Sequence, residues 1–141
     1  MRKKVVMVVD AQGGGLGRQL IGSIKKECPD VHIIAVGTNS TATGNMLKAG
    51  ADEAATGENS MRVAGRKADI IVGPIGMVIA DAMMGEITPA TAVAIAQADA
   101  KRVMIPFSSC DNYIAGVSDA SMGRLITDAV RQLKKYLTEE C

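Results

Sequence analysis

Lys4-Val5-Val6-Met7-Val8-Val9-Asp10-Ala11-Gln12-Gly13-Gly14-Gly15-Leu16-Gly17-Arg18 is the stretch whose reading decides the fold. Val5 to Val9 is apolar without polar alternation, the pattern of a strand buried on both faces. It stops at four glycines within five positions (Gly13, Gly14, Gly15 and Gly17). Leu16, Leu20, Ile21 and Ile24 then fall on one helical face. A buried strand thus hands over to a helix through a turn with no side chains in the way. Bare amides at a helix N-terminus attract anions, phosphate above all.

The rest of the chain repeats this alternation. Val31-His32-Ile33-Ile34-Ala35-Val36 predicts a second strand, followed by the hydroxyl- and amide-rich turn Gly37 to Thr41. A short helix over 42–49 ends at Gly50, with Ser40 or Thr41 as its expected cap. Residues 52–56 read as a short strand or an extended link, and 58–66 as one more short helix. Asp69-Ile70-Ile71-Val72 is a strand ending at Gly73-Pro74-Ile75-Gly76. Met77 to Met84 is apolar enough for a buried helix, interrupted by Gly85-Glu86-Ile87. Thr88-Pro89 sets an N-cap before an N1 proline and opens an Ala-rich helix to about Ala98. Arg102 to Pro106 is a strand, and an apolar island within 107–117 is a candidate further one. Met122, Leu125, Ile126, Ala129, Leu133 and Leu137 stripe a final helix over 121–137. Strands alternating with helices build right-handed parallel βαβ units. The expectation is one domain over residues 1–141. Its class is α/β, a three-layer, doubly wound, Rossmann-like sheet of about five mostly parallel strands.

Composition bounds the function. Hydrophobic residues make up 48% of the 141, aromatics only 2%, and net charge is +1, so the core is aliphatic. Mixed charges give no footprint for nucleic acid or an anionic membrane, and base-stacking platforms are lacking. Cys28, Cys110 and Cys141 are odd in number and widely spaced, which implies neither a disulfide framework nor a metal site. The apolar run after Arg2-Lys3-Lys4 is too short for a signal peptide, and no stretch is long enough to span a membrane. A cytoplasmic location is the expectation.

Two phosphate cradles compete for the glycine loop. The dinucleotide fingerprint G-x-G-x-x-G fits with Gln12 at its first position, Gly14 at the second and Gly17 at the third. With Gly13 and Gly15 as the first two, Arg18 falls on the third. Gly14-Gly15-Leu16-Gly17-Arg18-Gln19 also resembles a P-loop variant. There Arg18 replaces the phosphate-reaching Lys and Gln19 the Mg²⁺-binding Ser/Thr, so hydrolysis of ATP by the usual route is not supported. The bland alternative is that the glycines serve only tight strand-to-helix packing. Candidate cofactors are NADP or NAD, with ATP behind them.

Ligands of open α/β sheets bind outside the carboxyl ends of the strands. That rule gathers the loops 10–17, 37–43, 73–76 and 107–112. The binding candidates are Asp10, Gln12, Gly13, Gly14, Gly15, Leu16, Gly17, Arg18, Thr38, Asn39, Ser40, Gly73, Pro74, Ile75 and Gly76. Arg18 in the first helical turn could reach an anion. Thr38-Asn39-Ser40 offers no acid for ribose hydroxyls, so a preference for NAD is not supported; its hydroxyls and amide could bind a 2′-phosphate, although the loop lacks the Arg that such sites usually add. Asp81 and Glu86 are weak candidates for a general acid or base. A carboxylate buried in an apolar segment would have a raised pKa, although rim placement or ion pairing is as simple. Cys110, beside Ser108, Ser109 and Asp111, is the one thiol worth testing as a nucleophile. His32, at the opposite end of its strand, reads as structural, so no His-based triad or metal site is expected.

Four segments in order resemble a family of small bacterial proteins of unknown function, found largely in anaerobic Firmicutes. They are Gln12 to Gly17 (QGGGLG), Gly37 to Thr43 (GTNSTAT), Ala49 to Asn59 (AGADEAATGEN) and Ala68 to Pro89 (ADIIVGPIGMVIADAMMGEITP). The resemblance covers Val5 to about Val117 and brings no activity or catalytic residue with it. It does imply that 56–59 and 85–89 are more than spacers. The function expected is binding of a small phosphorylated ligand, a nucleotide or dinucleotide, at the glycine loop. The alternatives are a non-catalytic regulatory or assembly module and a degenerate P-loop ATP binder. A homo-oligomer is expected, with the apolar 77–84 and 90–98 segments as candidate faces.

Overall fold

The computed structural model describes residues 2–106, 112–117 and 121–139. The strands are β1 (Val5–Asp10), β2 (His32–Gly37), β3 (Glu53–Thr56), β4 (Ile70–Pro74) and β5 (Lys101–Ile105). The helices are α1 (Gly15–Glu27), α2 (Ser40–Lys48), α3 (Glu58–Gly65), α4 (Pro89–Ala96) and α5 (Met122–Thr138). The strands form one sheet in the order β3-β2-β1-β4-β5, and every neighbouring pair is parallel. This is the doubly wound, Rossmann-like α/β order, with its reversal between β1 and β4.

β1 shows why the layers form. Val6 and Val8 join the side chains of α1, α2 and α5 on one face of the sheet. Met7 and Val9 join those of α3 and α4 on the other. All four are fully buried, as an unalternating apolar run requires when successive side chains point to opposite faces. Thr88 caps α4 through Thr91 N at 3.2 Å, with Pro89 at the first helical position.

Some expectations need correction. Segment 77–84 is not a helix. A 3-10 turn over Ile75–Val78 is followed by turns, with Asp81, Met83 and Met84 at φ of 65°, 57° and 57°. Asp81 N donates to Ile87 O and Ile87 N to Ala82 O, so the chain doubles back to bury Met77, Ala82 and Ile87 together. Met84 points fully into solvent. α2 begins at Ser40 and is capped by Asn39, whose side chain accepts from Ala42 N, rather than by Ser40 or Thr41. α4 ends at Ala96, short of Ala98. The short segment Glu53–Thr56 is a strand, β3, which brings the sheet to five; no strand lies in 112–117, and residues 107–111 are outside the described ones.

The end of the sheet opposite the glycine loop is tied by acids. Asp69 accepts from Val5 N at 2.8 Å and pairs with Arg2 at 2.8 Å. Asp52 accepts from Ile33 N at 2.8 Å. His32 sits here too, with Nε2 2.8 Å from Glu53, a structural place as expected. The Arg2 hydrogen bond holds Asp69 below the usual carboxylate range, and the Ile33 amide does the same for Asp52. Both folded pKa values are depressed, so the stability they add is present above their unfolded values and is lost as pH falls through the folded ones. Urea unfolding should therefore show stability dropping below a pH of about 4. Asp69→Asn combined with Asp52→Asn should flatten that acid limb. An unchanged slope in the double variant would assign the acid sensitivity elsewhere.

Candidate functional site

β1 ends in Asp10, and its carboxylate organises the loop that follows. Oδ1 accepts from Ala11 N at 2.8 Å and Oδ2 from Gly17 N at 2.7 Å. Gln12 takes a left-handed conformation, φ 52°. Gly14 takes another, φ 73°, as the N-cap of α1, with its amide on Ala11 O. The first bond of the helix runs from Arg18 N to Gly14 O at 2.9 Å. A helix start leaves its first amides without partners inside the helix. Asp10 takes one of them, that of Gly17. Among the described residues nothing accepts from the amides of Gly13, Gly15 or Leu16.

These amides border an open cavity of about 270 Å³, lined by residues 10–16 with Gln19, Pro74, Met83 and Met122. Asp10 and Pro74 end β1 and β4, so the cavity lies at the reversal of strand order, where ligands of such sheets bind.

The loop glycines divide into two kinds. A Cβ on Gly14 would lie 2.8 Å from Ala42 Cα, and one on Gly17 would lie 2.5 Å from Met46 Sδ and 3.1 Å from Asp10 Cβ. At Gly14 the clash is with backbone of α2 and a side chain has no room; at Gly17 the buried Met46 side chain would have to move aside. Gly13 and Gly15 meet nothing within 4 Å, and neither has a positive φ. The fold leaves room for a side chain at 13 and 15 and little at 14 and 17, the spacing of the register that starts at Gln12.

The neighbouring loop is brought in by an acid. Glu86 Oε2 accepts from Gln12 N at 2.5 Å, from Thr38 Oγ1 at 2.5 Å and from Asn39 Nδ2 at 3.2 Å. Asn39 Nδ2 also donates to Gln12 O at 3.0 Å, and Asn45 Nδ2 to Gly13 O at 2.7 Å. Three loops are thus stitched at one point on the rim. Burial pushes the Glu86 carboxyl up, but the bonds from Gln12, Thr38 and Asn39 outweigh it and leave its pKa lowered. Asp10 runs the other way. Burial raises it, the Gly17 and Ala11 amides offset part of that, and the nearby Glu86 charge adds to the rise. Its stabilising contribution is therefore present at low pH and fades as pH climbs through its folded value.

Several candidates fall elsewhere. Arg18 is exposed and does not line the cavity. Its neighbour Gln19, four positions after Gly15, does. Asp81 is exposed on its turn rather than buried in a helix. Ser40 is exposed in the first turn of α2. Gly73 belongs to β4 and cannot carry a side chain, because its Cβ would fall 2.5 Å from Val9 O. Ile75 and Gly76 form the 3-10 turn behind Pro74 and do not line the cavity. Cys110 lies outside the described residues, as do Ser108, Ser109 and Asp111. Met83 and Met122 line the cavity although their sequence surroundings mark them only as apolar. No cation lines the cavity among the described residues. No described helix is long and apolar enough to cross a membrane.

The model of a family described as "Domain of unknown function (DUF3842)" matches residues 5–138. No curated protein sequence matches the chain. Among solved structures, the D-arabinose dehydrogenase from Sulfolobus solfataricus superposes with a TM-score of 0.50 at 15% identity. The match covers 99% of this chain and 45% of that one, so this chain spans less than half the length of the dehydrogenase. The dodecameric FMN-dependent UbiX-like decarboxylase from Escherichia coli O157:H7 gives a TM-score of 0.46 at 16% identity, over 94% of this chain and 75% of that one. At such identities the dehydrogenase likeness concerns the fold.

Proposed function

We propose that this chain, which belongs to the DUF3842 family, binds a phosphate-bearing nucleotide or dinucleotide on the amides of Gly13, Gly15 and Leu16. One observation carries the reading. Gly13 and Gly15 face the cavity, and neither backbone conformation nor packing asks for glycine there. A missing Cβ at these two positions serves whatever enters the cavity, and amides at a helix N-terminus suit an anion. Pyrophosphate oxygens would accept from Gly15 and Leu16, the positions that follow the second glycine of the fingerprint.

A P-loop reading has less support. Arg18, in the place of the phosphate-reaching Lys, is turned to solvent, and Gln19 replaces the hydroxyl that would hold magnesium. We assign binding and no reaction. Asp10 is committed to two backbone amides, and Asp81 stands apart. For association of copies, the 77–84 turn presents Met84 and α4 presents Val93, both exposed.

A thermal-shift panel with NAD, NADP, ADP, AMP, ATP and inorganic phosphate tests the proposal. Stabilisation follows RT ln(1 + [L]/Kd), about 2.7 kcal/mol at 100 times Kd. Shifts with NAD, NADP or ADP that do not require magnesium are expected. A shift confined to magnesium-ATP would move the site to the P-loop reading. No shift with any of the six would end the binding proposal and leave a structural or assembly module.

A further inference from the structure

We infer that Glu86 is a specificity-determining residue of this site, receiving the 2′,3′-diol of a nucleotide ribose and excluding a 2′-phosphate; this rests on the binding reading above. In dinucleotide folds of this order an acid near the end of β2 accepts from ribose hydroxyls. The chain has none there: β2 is followed by Thr38, Asn39 and Ser40. Glu86, 48 positions beyond Thr38, fills the gap from the turn before α4. Its Oε2 is fixed by Gln12 N, Thr38 Oγ1 and Asn39 Nδ2. Those three contacts join the first fingerprint position to the end of β2, the corner between the phosphate amides and the β2 loop.

Two further features suit a diol. No bond to Oε1 is made by a described residue, and Glu86 is only half-buried. A carboxylate is acceptor-only when ionised, so it complements two hydroxyl donors and opposes another anion. Glu86 does not itself line the cavity; it meets the cavity through Gln12, which does. The region 85–89 is thus more than a spacer, and the missing acid is supplied by a neighbouring crossover.

The test is calorimetric titration of the full chain with NAD and NADP, and with ADP and inorganic phosphate as controls. Wild-type protein should bind NAD at least tenfold more tightly than NADP. Glu86→Gln should weaken NAD by several-fold and bring the ratio toward one, with inorganic phosphate unchanged. The wild-type ratio needs no variant, so a poorly folding Glu86→Gln protein leaves the question decidable. Equal wild-type affinities would overturn the role of Glu86 while leaving nucleotide binding intact. Tighter binding of every probe, phosphate included, to Glu86→Gln would also overturn it, making the carboxylate an occupant of the anion cup. If none of the four binds, the underlying reading fails and this one with it.

Discussion

Gly15→Val is expected to abolish nucleotide binding while leaving the protein folded. Gly15 opens α1 with an amide that no described residue accepts from, and a Cβ there meets nothing within 4 Å. The valine side chain would occupy the space in front of the Gly15 and Leu16 amides. Each hydrogen bond to a charged phosphate contributes about 1.5–3 kcal/mol. Loss of two corresponds to a rise in Kd of roughly 100-fold or more, at about 1.4 kcal/mol per factor of ten. Stability should shift by no more than about 0.5 kcal/mol, as at exposed sites generally. The replaced glycine also leaves the unfolded chain fewer conformations to lose. Titration with NAD and urea unfolding of the same protein read both quantities. Unchanged affinity would remove the glycine loop from the site.

One residue earlier the outcome reverses. Gly14→Ala should destabilise the fold by about 2–6 kcal/mol, combining a left-handed backbone at a residue with a Cβ (~1–3 kcal/mol) with overpacking (~1–3 kcal/mol). Gly14 sits at φ 73° and ψ 17°, and its Cβ would stand 2.8 Å from Ala42 Cα and 2.9 Å from Ala42 O. Those are backbone atoms of α2, so relief means separating α1 from α2. A fall in Tm of about 10 °C is expected for a domain of this size. A loss under about 0.5 kcal/mol would show that the α1–α2 contact yields easily, and with it the distinction between glycines required by the fold and those left for a ligand. Adjacent glycines with opposite phenotypes, one affecting stability and one affecting binding, would be hard to explain by packing alone.

Much of the architecture was legible before any coordinates. Val5 to Val9 and Ile70 to Val72 lack polar alternation because each side chain has a covered face to enter, and they lie where the apolar runs place them. Thr88-Pro89 marked the start of α4 because an N-cap hydroxyl and an N1 proline act locally. The segment 77–84 misled for a physical reason. It is apolar with no clear period, so composition could not tell a buried helix from a folded-back turn. The turn is fixed by Met77, Ala82 and Ile87 packing under the α3–α4 face, with Asp81 N donating to Ile87 O and Ile87 N to Ala82 O. The place of Gln19 and Met122 at the cavity depends on how α1 and α5 lie against the strand ends, which no local pattern encodes.

By itself the sequence determined a doubly wound sheet with a glycine-rich turn at the end of its first strand. Hydrophobic period, capping and glycine content are local properties, readable within about a dozen residues. Only the tertiary structure decided which of four glycines the fold consumes and which it leaves open, and only it carried Glu86 to an amide 74 positions away. The reason is that a Cβ clash or a carboxylate contact depends on distance in space, and the return of the chain across the sheet sets that distance.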